Sequence, residues 1–393
     1  MTLPLTGIRI LDLSRYLPGP FCTQLLADFG AEVVKIEQPG VGDPGRQLAP
    51  VVNGMSTRFY TVNRNKKSIT LDLKKAEGQE VFKKLIPQFD VVIDQFRAGF
   101  MDDLGIGYEV LKNINDRIIF CAISGYGQDG PMYATAGHDL NYLSYAGVTG
   151  TTGSRQGAPA MSGVQIADIA GGTMYAVIAI LMALAAREKT GQGQMCDVSM
   201  LDGAVSLLAY TMGEWSGNSL IPGIGDGVLT GGYACYNIYE TRDKKHVSIG
   251  AIEIKFWEGF CEKLDRSQYI AQQWEKAQQK EMIDDIADIM KQKNRDEWVE
   301  FFAEDDICFS PVLDLQEMSE HPQVQARQMV EKIPDPSGSG KTIALTGIPF
   351  KLSATPGQMV LNFPGLGEHN EEIYLAAGYS AEEIEQLHSS GII

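Results

Sequence analysis

The sequence offers little to a disulfide framework or a metal centre. It has 6 cysteines in 393 residues, none in a CxxC pair and none with a histidine at ligand spacing, so neither a disulfide scaffold nor a zinc site is predicted. We expect free thiols, the usual state in a reducing cytosol. The cysteines are Cys22, Cys121, Cys196, Cys235, Cys261 and Cys308.

Basic residues are scarce relative to acidic ones. The 33 lysines and arginines against 50 aspartates and glutamates give a formal net charge of −17. Such a surface repels polyphosphates at long range, which argues against a nucleic acid or an anionic membrane as the main partner. A small anionic ligand remains compatible with a local basic pocket.

Long hydrophobic runs are also missing. The most apolar stretch, Met174 to Ala186, has about 13 residues where roughly 20 are needed to span a bilayer, and we predict a buried helix there. The first residues, MTLPLTGIRILDLS, lack a basic region followed by a long apolar run, so no signal peptide is predicted. We therefore expect a cytoplasmic protein with no membrane partner.

Several enzyme fingerprints are absent. The turn after the first predicted strand reads SRYLPGP, from Ser14 to Pro20, and contains no GxGxxG. This weakens any case for NAD binding. The sequence also lacks GxxxxGK[ST], GxSxG and HExxH, so P-loop, α/β-hydrolase and zincin chemistry lose their best support.

What the sequence does contain is a series of βαβ units. The β-prone run IRILDL, from Ile8 to Leu13, is followed by the helical pattern FCTQLLADFG and the strand-like VVKIE. The series continues with a helix through EGQEVFKKLIPQF and the strands VVIDQF and RIIFCAISGYG. This alternation predicts an α/β fold, with a parallel sheet covered by helices.

The amino-acid composition and the secondary-structure pattern change in the second half of the chain. Residues 216–232 are rich in glycine and nearly uncharged, which is typical of a linker or an ordered loop. A hairpin pattern around Arg242 to Lys245 and charged amphipathic helices up to Asp306 follow. We predict a second, smaller compact segment there.

His138 is the strongest candidate for proton transfer among the 5 histidines. It lies beside Asp139 in the glycine-bounded stretch GHDL, and an imidazole with a pKa near its usual value of about 6.5 suits acid and base work at physiological pH. The alternative is structural: Asp139 caps a helix and His138 packs against it.

Two isolated carboxylates are further candidates. Asp168 is the only charged residue between Arg155 and Arg187 and opens the apolar helix, so it suits either a helix cap or a base. Glu253 is a lone acid in the strand-like SIGAIEIKFW, and a buried carboxylate needs a partner. The basic run around Arg64, Lys66 and Lys67 could hold a phosphate or form a solvated face.

Taken together, these residues resemble a known family, the family III CoA-transferases (CaiB/BaiF family). The resemblance runs through nearly the whole chain and is carried by GIRILDLSRYLPGPFCTQLLADFGAEVVKIEQPG, NRNKKSITLDLK, SGYGQDGP, REKTGQGQMCDVSMLD and PGLGEHNEEI. Within the family, GHDLNYL, LTGGYACYNIYET, GAIEIKFW and ICFSPVL resemble the branch of α-methylacyl-CoA racemases, in which a histidine precedes the aspartate that transferases use as nucleophile.

The resemblance implies a particular architecture. Its parts are a large Rossmann-like domain, with a parallel sheet built from both chain ends, and a smaller α+β domain, in an interlocked homodimer. We place the N-terminal part of the large domain at 1–200, the small domain at 229–314 and the C-terminal return at 336–393. The linkers are 201–228 and 315–335. The active site is expected between the large domain of one chain and the small domain of the other.

The resemblance also implies a mechanism without a metal or organic cofactor, because the substrate's thioester delocalises the carbanion as an enolate. His138 and Asp168 match the two bases that exchange an α-proton. Glu253 matches the acid that orients the histidine. The backbone N–H of Asp139 matches a donor to the enolate oxygen.

The ligand implied by the resemblance is an acyl-CoA thioester, and nucleic acid is not expected to bind. Two departures from the transferase pattern weaken the phosphate contacts: Gln38 and Asp103 stand where relatives carry arginine. Cys308 and Met200 match positions near the acyl pocket, where ordinary packing is the alternative. The positions that match CoA contacts are Arg15, Arg64, Lys66, Lys67, Phe96 and Arg97.

Two rival functions stay open at this point. In a CoA-transferase, Asp139 attacks the thioester and passes CoA to a second carboxylic acid through a mixed anhydride. A protein of this fold could also bind acyl-CoA without catalysis, since fold does not fix function. The joint presence of His138, Asp168 and Glu253 favours the racemase.

Overall fold

The structure is a computed structural model that describes residues 2–155 and 157–393. The chain forms two compact units. The first comprises the chain up to Ala146, Val164–Leu207 and Pro322–Ile393, and the second comprises Gly147–Gly163 and Leu208–His321. Residues 147–163 thus belong to the second unit, whereas the sequence assigned them to the large domain.

Strands and helices alternate through the first half of the chain. The strands are β1 (Arg9–Asp12), β2 (Glu32–Glu37), β3 (Val51–Val52), β4 (Met55–Ser56), β5 (Lys66–Thr70), β6 (Val91–Asp94), β7 (Ile119–Ser124), β8 (Met195–Ser199), β9 (Tyr236–Glu240), β10 (His246–Gly250), β11 (Phe309–Pro311), β12 (Val330–Pro334) and β13 (Thr342–Thr346).

The α-helices are α1 (Pro18–Asp28), α2 (Thr57–Asn63), α3 (Ala76–Leu85), α4 (Phe100–Asp103), α5 (Tyr108–Ile114), α6 (Asp139–Tyr145), α7 (Val148–Thr151), α8 (Tyr175–Thr190), α9 (Met200–Ser206), α10 (Ala209–Asn218), α11 (Ile254–Lys263), α12 (Gln279–Met290), α13 (Arg295–Phe301), α14 (Leu315–Glu320), α15 (Pro322–Ala326), α16 (Asn370–Ala376) and α17 (Ala381–Ser389). A π-helix spans Ala167–Met174 directly before α8. Short 3-10 helices lie at Pro44–Gln47, Ile86–Gln88, Ser267–Gln272 and Lys276–Gln278.

A six-stranded sheet with the order β5-β2-β1-β6-β7-β8 forms the centre of the first unit. All its neighbouring strands are parallel. Strand β7 is buried at every residue and β2 at all but its first, because helices cover both faces of the sheet. The predicted α/β class with a parallel sheet is therefore confirmed.

The prediction that both chain ends build this sheet is wrong. All six strands lie between Arg9 and Ser199. The C-terminal segment instead forms the antiparallel hairpin β12–β13 and the helices α16 and α17. Strand β13 alternates exposed and buried residues, which suits a strand covered on one face only and not the centre of a parallel sheet. The segment joins the core through helix residues such as Ile373 and Tyr374.

The strand order places a switch point between β1 and β6. From β1 the chain proceeds to β2 and β5 on one side, and from β6 to β7 and β8 on the other. In open α/β sheets, ligands bind at the carboxyl ends of the strands where the order reverses. The loops that begin at Leu13 and Gln95 therefore flank the expected binding crevice.

The second unit contains the antiparallel sheet β11-β10-β9 and the helices α11, α12 and α13. Its core is strongly aromatic, with Trp257, Phe260, Trp298 and Phe302 almost fully buried. The residues 201–228, predicted as a linker, are largely helical, since α9 and α10 occupy most of them.

The helical stretch Ala167–Thr190 is long and apolar enough to cross a membrane by length and composition, a test that the core helix of a soluble protein also passes. Here α8 packs on β7 and β8. Ala176, Ile180 and Ala183 are buried, whereas Ile178 and Met182 are 43% and 68% exposed. The predicted helix is present, but only one of its faces is buried and its outer face is exposed.

Candidate functional site

A cavity of about 1260 Å³ opens at the carboxyl edge of the parallel sheet in the first unit. Loops after β1, β6 and β7 and the start of α9 all contribute to its wall. Its walls bring together His138, Asp168 and Met200 with Arg15 and other basic residues. The cavity therefore lies where the strand order reverses, as expected for this sheet class.

His138 is the residue directly before helix α6 and has an extended backbone. Its backbone N–H donates to Asn141 Oδ1 at 3.1 Å, so Asn141 satisfies the beginning of the helix. The imidazole is exposed and lines the cavity. His138 also forms a capping box with Asn141 at the beginning of α6, so proton transfer and the structural alternative both stay predictions.

Asp139 caps a helix, but not its own. Its Oδ1 accepts hydrogen bonds from the backbone N–H of Ala167 at 2.7 Å and of Asp168 at 3.1 Å. A carboxylate at unsatisfied N–H groups of a helix beginning stabilises that helix. Asp139 therefore ties the loop that carries His138 to the helix that carries Asp168.

Asp168 is the second residue of the π-helix. Burial raises its pKa to about 7, and repulsion from Asp139 acts in the same direction. A carboxyl group with a pKa near neutrality can both accept and donate a proton under physiological conditions. π-helical turns occur frequently at functional sites.

Two glycines allow the π-helix to lie directly against α9. A Cβ placed on Gly171 would come within 2.7 Å of the carbonyl oxygen of Met200, and one on Gly203 within 2.4 Å of the Cα of Gly171. The hydroxyl of Thr173 adds a buried hydrogen bond to the carbonyl of Pro18 at 2.7 Å. These contacts fix Asp168 relative to α9 and the beginning of α1.

Glu253 lies in the second unit, where it follows β10 and precedes α11. Its side chain is exposed, and its negative charge contributes, after burial, to a raised pKa of Cys308. The role implied by the resemblance, orienting His138, stays a prediction.

The predicted CoA contacts divide into two groups. Arg15, Phe96 and Arg97 line the cavity, and the Arg15 guanidinium lies 4.8 Å from the centre of the Phe96 ring. Arg15 and Phe96 also line a small crevice of about 40 Å³ beside Gln38. These positions suit an anionic ligand with a planar group.

Arg64 and Lys66 are placed differently from what the sequence predicted. Arg64 pairs with Asp28 at 2.6 Å and Lys66 with Asp12 at 3.2 Å, and all four side chains are fully buried. A solvent-borne phosphate has no access to them, which corrects the expectation that they contact CoA. Lys67 is partly exposed and pairs with Glu372 at 2.6 Å.

Sequence reasoning missed several residues of the cavity wall, notably Arg58, Gln95, Tyr142 and Gln165. Burial raises the pKa of Tyr142 to about 12, with the nearby charge of Asp168 contributing, so this phenol stays protonated. An amphipathic pattern in TRFYTVN was the available signal for Arg58, since Phe59, Tyr60 and Val62 are buried and Arg58 is not.

The cavity wall is positively charged although the protein is acidic overall. Arg15, Arg58 and Arg97 line it, and Asp168 is the one carboxylate among the described lining residues. A doubly wound sheet with a basic crevice, an imidazole and a carboxyl group of near-neutral pKa defines a site for an anionic substrate that undergoes proton transfer or acyl chemistry.

Comparison with known proteins identifies the family. The sequence profile of CoA-transferase family III matches residues 5–370, and the chain belongs to this family. The alpha-methylacyl-CoA racemase of Homo sapiens is 34% identical over 99% of this chain and 97% of the relative. An acyl-CoA transferase of Fusarium pseudograminearum is 35% identical over 99% of this chain and 88% of the relative.

A solved structure agrees with the sequence relatives. The crystal structure of a CAIB/BAIF family protein from Brucella suis superposes with a TM-score of 0.81 at 29% identity, covering 96% of this chain and 100% of that one. The predicted family is therefore confirmed. Because both a racemase and a transferase are similar to this chain, membership identifies acyl-CoA chemistry and leaves the specific reaction open.

Proposed function

We propose that this protein is an α-methylacyl-CoA racemase, which interconverts the (R) and (S) forms of 2-methylacyl-CoA thioesters. One base removes the α-proton, the electron pair moves into the thioester carbonyl to give an enolate, and the opposite acid returns a proton to the other face. His138 and Asp168 are the two groups, with roles exchanged for the other enantiomer.

The proposal is carried by the different surroundings of two aspartates, Asp168 and Asp139. Asp168 lines the cavity with His138 and has a pKa near 7. Asp139, which a transferase needs as nucleophile, has one carboxylate oxygen held by two backbone N–H groups. Such hydrogen bonds lower the reactivity of a carboxylate and suit a structural role.

The remaining parts follow from the cavity wall and the resemblance. Asp139 is the first residue of α6, where backbone N–H groups lack helical acceptors, and we assign its N–H as the donor to the enolate oxygen. Arg15, Phe96 and Arg97 bind the CoA part. Glu253 orients the imidazole in the homodimer that the resemblance implies, and the reaction needs no metal or organic cofactor.

The second candidate is a CoA-transferase that acts through Asp139. It is favoured by the transferase among the similar proteins. The variant Asp139→Asn separates the two functions, because an asparagine oxygen still accepts from Ala167 and Asp168 but cannot form an anhydride. If the protein is a racemase, the racemase activity of Asp139→Asn is expected to stay within about tenfold of the wild type. If it is a transferase, Asp139→Asn is expected to lose the transferase activity. Asp139→Ala removes the acceptor and lowers racemase activity further.

The direct test is hydrogen exchange at the α-carbon. The purified protein is incubated in D2O with one enantiomer of 2-methylbutanoyl-CoA and no second acid. We expect α-deuterium by mass spectrometry together with epimerisation by chiral analysis, and a loss of at least about 100-fold in His138→Ala. Absence of exchange, combined with CoA transfer once a free carboxylic acid is added, would refute the racemase.

A further inference from the structure

Arg58 is a basic residue of the cavity wall, distinct from the residues assigned to proton transfer and to CoA binding. It lies on α2, which is held in place by the buried side chains of Phe59, Tyr60 and Val62. Its own side chain is exposed and lines the cavity that contains His138 and Asp168. The guanidinium is therefore presented to the ligand space from a fixed helix.

The buried basic residues nearby are engaged with carboxylates. Arg46 pairs with Glu37 at 2.7 Å, Arg64 with Asp28 at 2.6 Å and Lys66 with Asp12 at 3.2 Å. In residues 2–155 and 157–393, the structure records no ion pair and no hydrogen bond from the Arg58 guanidinium. A guanidinium without a protein counter-ion, on the wall of a large cavity, is available to an anion from solution.

Arg58 is also separate from the crevice that Arg15 shares with Phe96. That crevice is lined by residues following β1, β2, β5 and β6, and Arg58 does not contribute to it. Within the large cavity, Arg58 shares its helix with Thr61 and Val62. Helix α2 packs against α1, whose residue Pro18 contacts the π-helix that bears Asp168.

We propose that Arg58 is an anion-recognition residue that binds a carboxylate or phosphate group of the acyl-CoA through its planar pair of N–H donors. If the anion is a carboxylate on the acyl group, the substrate class includes 2-methyl dicarboxylyl-CoA thioesters. If it is a CoA phosphate, Arg58 adds to general CoA affinity. The inference relies on the proposed function only in taking an acyl-CoA as the ligand.

The test is a set of binding measurements by isothermal titration calorimetry, which needs no turnover. Racemic 2-methylsuccinyl-CoA, with its free carboxylate replacing a methyl group, is compared with racemic 2-methylbutanoyl-CoA, and CoA with 3′-dephospho-CoA. Each ligand is titrated into the wild type, Arg58→Gln and Arg58→Lys. Arg327→Gln, which removes an exposed arginine outside the cavity, is the matched control for charge.

Two results support the inference and identify the anion. A loss of about 10- to 100-fold in affinity of Arg58→Gln for 2-methylsuccinyl-CoA alone assigns a carboxylate. A similar loss for all CoA ligands assigns a phosphate, specifically the 3′-phosphate if 3′-dephospho-CoA is unaffected. Arg58→Lys is expected to retain part of the affinity in either case, because it keeps the charge and loses the paired donors.

Affinities of Arg58→Gln within twofold of the wild type for every ligand would overturn the inference and leave the racemase proposal intact. A wild type that binds acyl-CoA but shows no α-proton exchange would refute the racemase and leave the assignment of Arg58 standing. A thermal melt of each variant establishes that any lost affinity comes from a folded protein.

Discussion

At the scale of single residues, the charged side chains beside the cavity divide into a buried set and an exposed set. The buried ones form pairs, and two of them support the loop that presents Arg15. Lys35 Nζ donates to the carbonyl of Ser14 at 2.7 Å, and Asp43 Oδ1 accepts from the backbone N–H of Tyr16 at 3.3 Å. The buried side chains of Lys35 and Asp43 thus position the loop that carries the exposed Arg15.

The pair between Arg64 and Asp28 gives a stability prediction. Both side chains are fully buried, so Arg64→Met leaves an uncompensated carboxylate and lowers the free energy of unfolding by about 3–5 kcal/mol. The double variant with Asp28→Leu is expected to recover much of this loss. Urea denaturation measures both changes.

The control for this prediction is Arg117→Met, because Arg117 and Glu188 are exposed and 3.8 Å apart. An exposed pair contributes little, and we expect a change below about 0.5 kcal/mol. Equal effects of Arg117→Met and Arg64→Met would contradict the argument from burial.

Asp168 gives a prediction in which pH is the variable. Burial raises its pKa from 3.8 to about 7, so between these values the folded protein binds more protons than the unfolded chain. Its contribution to stability therefore falls as pH rises from about 4 to 7 and is constant above. Asp168→Asn removes this penalty and is expected to stabilise the protein by roughly 2 kcal/mol at pH 8.

The measurement is urea denaturation of the wild type and Asp168→Asn at pH 5 and pH 8. The increase in the free energy of unfolding caused by Asp168→Asn is expected to be larger at pH 8 than at pH 5. We expect the variant to lose α-proton exchange at both pH values. A variant that is less stable than the wild type at pH 8 would show that Asp168 is ionised without cost in the folded protein.

At the scale of elements, the contact between the π-helix and α9 determines where Asp168 lies. Gly171 and Gly203 let the two backbones approach closely. A methyl group on Gly203 must move one helix, so Gly203→Ala is expected to lower the free energy of unfolding by about 1–3 kcal/mol. We expect the same substitution to reduce the rate of α-proton exchange more than the affinity for CoA.

Gly213 in α10 offers the matched control, since nothing lies within 4 Å of a Cβ placed there. Gly213→Ala replaces a helical glycine without a clash and is expected to stabilise by about 0.5–1 kcal/mol. Thermal melts compare the two variants. Equal destabilisation by Gly203→Ala and Gly213→Ala would contradict the role assigned to the close approach of the π-helix and α9.

Elements with a clear local sequence pattern could be predicted from the sequence. Strands such as β6 and β7 are continuous apolar runs, and the neighbouring loops lead to His138 and Arg15. The separation of Arg64 and Lys66 from the ligand depends on Asp28 and Asp12, which are distant in sequence. The cap from Asp139 to the π-helix depends on a contact across 28 residues. Neither is visible in a local pattern.

At the scale of the whole molecule, the outer face of α8, together with the last π-helical residue Met174, bears on assembly. Met174, Ile178, Leu181 and Met182 are between 41% and 68% exposed and lie at helical spacing. A continuous exposed apolar stripe of this kind is typical of an interface. It agrees with the homodimer that the resemblance implies.

Sedimentation velocity tests the assembly directly. We expect a mass of twice 43.0 kDa for the wild type and a shift towards one chain in Met182→Glu, because a charge in an apolar interface is costly. Val110→Glu, at an isolated exposed valine on α5, is the control and should leave the mass unchanged. A wild type that sediments as a single chain would refute the dimer.

The discontinuity of the first unit has a consequence for biosynthesis. Ile392 and Ile393 are 2% and 5% exposed, and the carbonyl of Ile392 accepts from the backbone N–H of Asp72 at 2.7 Å. During translation Asp72 is synthesised long before Ile392, and all of Leu208–His321 is translated in between. The second unit therefore has its whole sequence available first, while the sheet-containing unit keeps an open core surface until Ile392 has been translated. Holdase chaperones should bind the nascent sheet-containing unit preferentially.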